Sequence, residues 1–178
     1  MLTDEQKRAL VDVARRAVVS EVTHQPPEPV RHGIGLPDAS GVFVTIKRHG
    51  ELRGCLGTLK CRRSLAEEVA QCAADAASED PRFPPVNEEE LPELEVEVSV
   101  LGPLEEIEPD PANVVVGRHG LVAEQGDRRG LLLPQVAAEW DWTAEQFIRQ
   151  TCMKAGLPGD AWRNGARIYR FEAEVFGE

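Results

Sequence analysis

Near the N-terminus, apolar side chains recur at helical spacing, with Leu10, Val13, Ala14, Ala17 and Val18 on one stripe and mostly charged residues elsewhere. Thr3 and Gln6 fit a capping box, so a helix is predicted to begin there and to end before Pro26. From Thr23 to Asp38 the chain carries prolines at 26, 27, 29 and 37 and glycines at 33 and 35, a pattern that excludes regular helix or central strand and leaves a long connecting loop. The period then changes. Val42-Phe43-Val44-Thr45-Ile46-Lys47 is rich in β-branched residues, Arg48-His49-Gly50-Glu51 can turn, and Leu52 to Leu59 can return as the second strand of a hairpin. Ser64 with Glu67 opens a second capped helix through Val69, Cys72 and Ala76 to about Ser78, which Asp80-Pro81-Arg82-Phe83-Pro84-Pro85 must leave.

Farther on, Leu94-Glu95-Val96-Glu97-Val98-Ser99-Val100 alternates strictly and predicts a strand with Leu94, Val96, Val98 and Val100 facing a core. Val114-Val115-Val116 and Leu121-Val122-Ala123 read as short strands around Gly117-Arg118-His119-Gly120, and Leu131-Leu132-Leu133 follows a turn from Gly126 to Gly130. Thr143 with Gln146 caps a helix through Phe147, Ile148 and Cys152 that stops at Gly156, and a last strand runs from about Ile168 to Phe176. Helices and hairpin-like strands alternate without a βαβ repeat, so the pattern predicts an α+β fold rather than a doubly wound sheet.

Composition narrows the function classes. With 178 residues, 42% apolar and 29% charged, the chain can build an ordinary core without staples. A formal charge of −11 argues against nucleic-acid binding, which needs a basic surface. One stretch reverses the sign: Lys47, Arg48, Arg53, Lys60, Arg62 and Arg63 stand against the single acid Glu51. No apolar run reaches the roughly 18 residues of a membrane span, and the first residues lack the basic and apolar regions of a signal peptide, so a cytoplasmic location is expected. The cysteines at 55, 61, 72 and 152 form no CxxC pair and are expected to be reduced thiols. Together with the histidines at 24, 32, 49 and 119 they form no zinc-ligand cluster, so no metal is expected, and no nucleotide or dinucleotide fingerprint calls for a cofactor.

Candidate chemistry centres on Arg53-Gly54-Cys55-Leu56-Gly57-Thr58, where two glycines inside a predicted strand cost entropy and supply no packing. In extended chain Arg53, Cys55 and Gly57 share a face, placing a cation beside a thiol and favouring the reactive thiolate. The competing reading makes Cys55 a small buried filler and the glycines the mark of a bulge. His119, between glycines in a turn, could serve as base to such a thiol, or simply bind backbone. Arg82 and Phe83 could form a recognition pair, though Asp80 capping a turn with Phe83 packed inward explains that loop as a brace. Gln135 could begin a helix and offer an amide to a cleft. Cys72 and Cys152 lie at helical spacing among apolar residues and read as core, whereas Cys61, beside Arg62 and Arg63, reads as exposed.

The motifs LRGCLGTL after GVFVTIKRHGE, AASEDPRFPPVNEEELPELEVEVSVLGPLE, GRHGL, LLLPQVAAEW and CMKAGLPGDAW, in this order, resemble those of the AMMECR-one family over nearly the whole chain, with Leu56 where isoleucine is common. The resemblance implies a largely antiparallel mixed sheet with flanking helices in a larger lobe that holds both termini. A smaller α/β lobe would be inserted in the middle of a single 1–178 domain, with a cleft near the RGC motif. It also implies association with a Memo-like protein and a radical S-adenosylmethionine protein, in the arrangement called AmmeMemoRadiSam. Two functions follow as expectations. One is a small-molecule enzyme or binding protein with Cys55 as nucleophile or ligand, Arg53 holding an anionic group and His119 handling a proton. The other is an adaptor that presents the glycine-bearing strand and the Phe83 loop to a pathway partner; neither involves nucleic acid or a membrane.

Overall fold

The computed structural model describes residues 2–27, 29 and 35–178. Part of the predicted connecting loop, Glu28 and residues 30–34 with His32 among them, lies outside the described residues; its described prolines, Pro26, Pro27, Pro29 and Pro37, belong to no helix or strand. The chain divides into two compact units, Met1–Leu101 with Glu174–Glu178, and Gly102–Ala173.

In the first unit, α1 (Asp4–Val22) starts at the predicted capping box: the Thr3 hydroxyl accepts from the Gln6 N–H, and the Gln6 amide oxygen accepts from the Thr3 N–H at 2.8 Å. Strands β1 (Gly41–Arg48) and β2 (Glu51–Thr58) pair antiparallel. Their turn puts His49 at φ 53° and Gly50 at φ 78°, the left-handed pair whose twist suits a two-residue hairpin. Helix α2 (Leu65–Ser78) is capped reciprocally by Ser64 and Glu67. Strand β3 (Leu94–Leu101) pairs antiparallel with the other side of β1, giving the order β2-β1-β3.

Period two then decides the layers. Val42, Val44 and Ile46 of β1 and Leu94, Val96, Val98 and Val100 of β3 are buried in one cluster with Leu10, Ala14 and Val18 of α1 and Val69, Ala73 and Ala76 of α2. Each of these valine, leucine and isoleucine side chains contributes about 1.5–3 kcal/mol when fully buried, and the alanines less. The helices therefore cover one face of the sheet, and Phe43, Thr45 and Lys47 point to the other. The chain's last residues return to this unit, where Glu178 and Val96 exchange hydrogen bonds and Glu174 accepts from the Leu2 N–H.

The second unit holds β4 (Glu105–Ile107), β5 (His119–Gln125), β6 (Arg128–Leu132), α3 (Pro134–Glu139), α4 (Ala144–Lys154) and the residues to 173 of β7 (Arg167–Gly177). The strands pair antiparallel in the order β4-β7-β5-β6. Phe147, Ile148 and Cys152 of α4 pack with Leu121, Ala123 and Ile168. As predicted, α4 stops at Gly156 (φ 79°), where the Leu157 and Gly156 N–H groups return to Cys152 and Met153.

The fold is α+β, with three local departures from the sequence pattern. Val114-Val115-Val116 is not a strand: the Asp110 carboxylate caps a 3₁₀ turn at Pro111–Asn113, and the N–H groups of Arg118 and His119 both go to the Val115 carbonyl. His119 is not in an exposed turn but is the buried first residue of β5. The hairpin turn near Gly126 is shorter than expected, so β6 already begins at Arg128. The sequence pattern also missed β4 and the 3₁₀ helices Glu88–Glu93 and Ala161–Arg163, all too short to show a period.

A Cβ added to Gly54 would lie 2.2 Å from the Ala76 carbonyl oxygen, so β2 and the C-terminal turn of α2 approach closely only because residue 54 is glycine. Gly54→Ala is expected to cost about 1–3 kcal/mol in urea unfolding; an unchanged midpoint would mean that α2 shifts to accommodate the methyl group.

Candidate functional site

Strand β2 lies at the end of the β2-β1-β3 order, so its outer backbone groups have no neighbouring strand in this order. The loop after α2 supplies partners instead. The Cys55 N–H donates to Asp80 Oδ2 at 2.9 Å, and Arg82 Nη2 lies 3.5 Å from the Cys55 carbonyl oxygen. Asp80 also accepts from the Arg82 backbone at 3.0 Å and from its Nε and Nη2 at 3.1 and 2.8 Å. The hydrogen bond from the Arg82 side chain, joined by the two backbone N–H groups, holds the buried Asp80 carboxyl well below the usual carboxylate range even though burial opposes this. Arg82 is 55% exposed and lies 5.5 Å over the half-buried Phe83 ring. The loop is thus a brace with an exposed cation on its outer side.

Arg53 closes the neighbouring stretch. The register shifts at this point: Ile46 faces Gly54 but Lys47 faces Leu52, so Arg53 is the extra residue of a bulge and the strict alternation expected from the sequence is interrupted there. Its Nε and Nη2 grip Glu90 at 2.8 and 3.1 Å, Nη1 donates to the Pro84 carbonyl at 2.8 Å, and Nη2 also reaches Pro85. The Arg53 side chain is only 13% exposed, and its hydrogen bonds lower the Glu90 pKa against the effect of burial. This guanidinium is committed to the framework.

The glycines are accounted for by packing. Gly54 admits the end of α2, and Gly57 lies opposite Phe43, whose ring occupies the space where a Cβ would stand. Thr58 turns its hydroxyl to the backbone of Lys60. Cys55 remains. It sits half-buried opposite Thr45, whose hydroxyl donates to its sulfur at 3.3 Å; Thr45 in turn faces Glu97, which pairs with Lys47 at 3.3 Å. Across the sheet face away from the helices, thiol, hydroxyl and carboxylate therefore form one row, with an ammonium group two residues along β1.

The basic stretch of the sequence is also partly neutralised. Lys47 meets Glu97, Arg48 meets Glu90 and Glu93, and Arg53 meets Glu90; at Arg62 and Arg63 the buried Glu68 carboxylate takes the backbone N–H groups and not the guanidinium charges. Asp80 caps a turn as expected from sequence, accepting from the Arg82 N–H, but its bond to Cys55 was not foreseen; Glu90 and Glu97 were not singled out, although Asn87 and Glu90 stand at capping-box spacing and form one.

The other candidates lie elsewhere. His119 belongs to the second unit and Cys55 to the first. The imidazole Nδ1 accepts from the Val115 N–H at 3.0 Å, and burial, then Arg170 and Arg118, push its pKa below the ordinary value. Gln135 is exposed in the first turn of α3, and His49 occupies the hairpin turn near Glu93. All four cysteines are free. Cys72 and Cys152 are core residues, and burial followed by Glu68 pushes the Cys72 thiol up to about 12. Cys61 is half-buried rather than exposed, with its pKa raised by the same two causes. Among the described residues no group of His, Cys, Asp or Glu could hold a metal ion, and no helix is long and apolar enough to cross a membrane. A cleft of about 450 Å³ opens between α1 and α2, lined by Ala17, Ser20, Gln71 and Ala74 among others, away from Cys55.

Comparison with known proteins agrees with the resemblance read from the motifs. The family model described as AMMECR1 matches residues 11–176. A protein of Methanothermobacter thermautotrophicus is 44% identical over 187 residues, covering 99% of this chain and 96% of the relative. Another, from Thermococcus kodakarensis, is 48% identical over 191 residues, covering 99% and 92%. The crystal structure of an uncharacterized protein from Pyrococcus horikoshii is similar with a TM-score of 0.87 at 42% identity, covering 99% of this chain and 93% of that one.

Two predictions follow from these buried polar groups. Asp80→Asn is expected to lower unfolding stability by about 2 kcal/mol at neutral pH, because the amide cannot replace a carboxylate that accepts four hydrogen bonds. Since the folded-state pKa of Asp80 is depressed, its contribution is present above the unfolded value near ~3.9 and is lost as pH falls through the folded value, so wild type and variant should converge in strong acid. His119 is likewise depressed, so the unfolded chain binds its proton first. Stability tied to it is complete above roughly pH 6.5 and declines as pH falls toward the folded value. Melting between pH 8 and 5 should show a smaller decline for His119→Gln than for wild type.

Proposed function

The chain belongs to the AMMECR1 family, and from the geometry of the site we propose that it binds a small anionic molecule on the sheet face around Cys55, where the thiol engages the molecule and the Arg82 guanidinium meets its negative charge. One observation carries this reading: in Arg53-Gly54-Cys55-Leu56-Gly57-Thr58, the Cys55 side chain is the polar one held most lightly, since among the described residues its sulfur only accepts from the Thr45 hydroxyl. The donors of Arg53 go to Glu90 and two carbonyl groups, the Thr58 hydroxyl goes to Lys60, and both glycines make room for neighbours. Around the thiol the backbone is fixed by Asp80, so a bound molecule would meet a preorganised surface. The cationic role expected of Arg53 passes to Arg82, the more exposed guanidinium beside the Cys55 peptide.

The same face, with Phe83, also suits the adaptor alternative, a contact with a Memo-like or radical S-adenosylmethionine protein. Timed alkylation of the native protein with iodoacetate and iodoacetamide, with adducts located by mass spectrometry, separates the two. On the binding reading Cys55 labels before Cys61, Cys72 and Cys152, whose thiols are disfavoured by burial. Its preference for the anionic reagent should exceed that of Cys61, drop in Arg82→Gln and partly return in Arg82→Lys. A Cys55 that stays unlabelled until unfolding removes the small-molecule reading and directs attention to protein partners.

A further inference from the structure

A second surface, in the Gly102–Ala173 unit, carries chemistry that the proposal above does not use. Trp140 is 67% exposed and stacks on Trp142 with ring centroids 6.4 Å apart and planes inclined by 17°. Trp142 in turn lies 6.3 Å from the ring of Phe147, which is fully buried. Three rings thus lead from the core to solvent, the outermost stacked on the second. Leaving so much indole in water forgoes much of the stabilisation that burying a large aromatic ring supplies.

The backbone that sets up this stack is strained as well. Helix α3 closes with Trp142 N–H returning to the Ala137 carbonyl at 3.0 Å and Asp141 N–H to Ala138 at 3.3 Å, which puts residue 141 in the left-handed position normally taken by glycine. Helix α4 closes in the same way on Gly156 at φ 79°, but here the residue is Asp141 at φ 56°. An aspartate in that conformation costs about 1 kcal/mol relative to glycine. What aspartate supplies there, and glycine would not, is a carboxylate next in sequence to the exposed ring. Glu139 supplies another on its other side in sequence, and residues 134–146 contain no lysine or arginine. Among the described residues neither Glu139 nor Asp141 forms an ion pair.

Elsewhere in the unit the chain itself shows what such components hold. Arg163 lies 4.5 Å over the Trp162 ring while its Nη2 donates to Glu145 at 2.7 Å, a guanidinium shared by an indole face and a carboxylate. From this parallel and the charge complementarity we propose that the Trp140–Trp142 stack, flanked by Glu139 and Asp141, docks an arginine side chain on a basic segment of a partner protein.

The test is fluorescence anisotropy of a labelled peptide alternating arginine and glycine, titrated with the full chain at physiological salt beside its lysine counterpart. Trp140→Ala leaves the net charge unchanged and removes a largely exposed ring with its stacking on Trp142, so it should melt within a few degrees of wild type yet bind the arginine peptide about tenfold more weakly. Asp141→Gly should raise the melting temperature while weakening binding several-fold, a combination that a purely structural role for Asp141 does not produce. The lysine peptide should bind several-fold more weakly than the arginine one. Equal affinity in Trp140→Ala, or no saturable binding to wild type at millimolar concentration, overturns the proposal. Self-association in sedimentation velocity that Trp140→Ala abolishes would also overturn it, assigning the surface to a second copy of the chain.

Discussion

The first unit depends on how the outer edge of β2 is closed. An edge strand with two glycines has little side-chain packing and a row of backbone groups in need of partners. Two carboxylates solve this from one side: Asp80 takes the Cys55 N–H and Glu90 takes the Arg53 guanidinium, which then ties down the Pro84 and Pro85 carbonyls. Both acids are buried and hydrogen-bonded several times, the condition under which a buried charge is tolerated. The loop, the bulge at Arg53 and the position of the Cys55 thiol follow from this closure.

The glycines of the LRGCLGT segment belong to the same construction. Gly54 brings the end of α2 against β2, and Gly57 receives the Phe43 ring, so neither opens space for a ligand. What stays available is the thiol in its row with Thr45 and Glu97, and the arginine that supports the edge from outside. In the second unit a different economy holds: an exposed indole and a strained aspartate are both retained where a more stable choice exists, and this motivates the assignment of that surface to binding.

Charge shows how sequence and structure diverge. Along the chain, residues 47–63 form a basic island in an acidic protein, and that island suggested an anion site. In the fold, acids distant in sequence return to it, with Glu90, Glu93 and Glu97 taking up Arg48, Arg53 and Lys47. The positive surface is therefore smaller than the sequence suggested, and the proposed anion contact moves to Arg82, the exposed guanidinium that pairs with Asp80.

Local chemistry was legible in the sequence because its causes are local. Capping boxes at Thr3, Ser64 and Thr143, the His49-Gly50 turn, the strict alternation of β3 and the glycine stop of α4 are each set by residues within one or two turns of chain, and the ordered motifs carried the family. Tertiary structure decided what depends on partners far apart in sequence. It buried His119 at the start of β5. It made Arg53 a structural brace and brought Asp80 to the backbone of Cys55, 25 positions away. Hydrogen-bond donors and charges are satisfied by whichever group the fold brings near, and composition and periodicity do not specify that group.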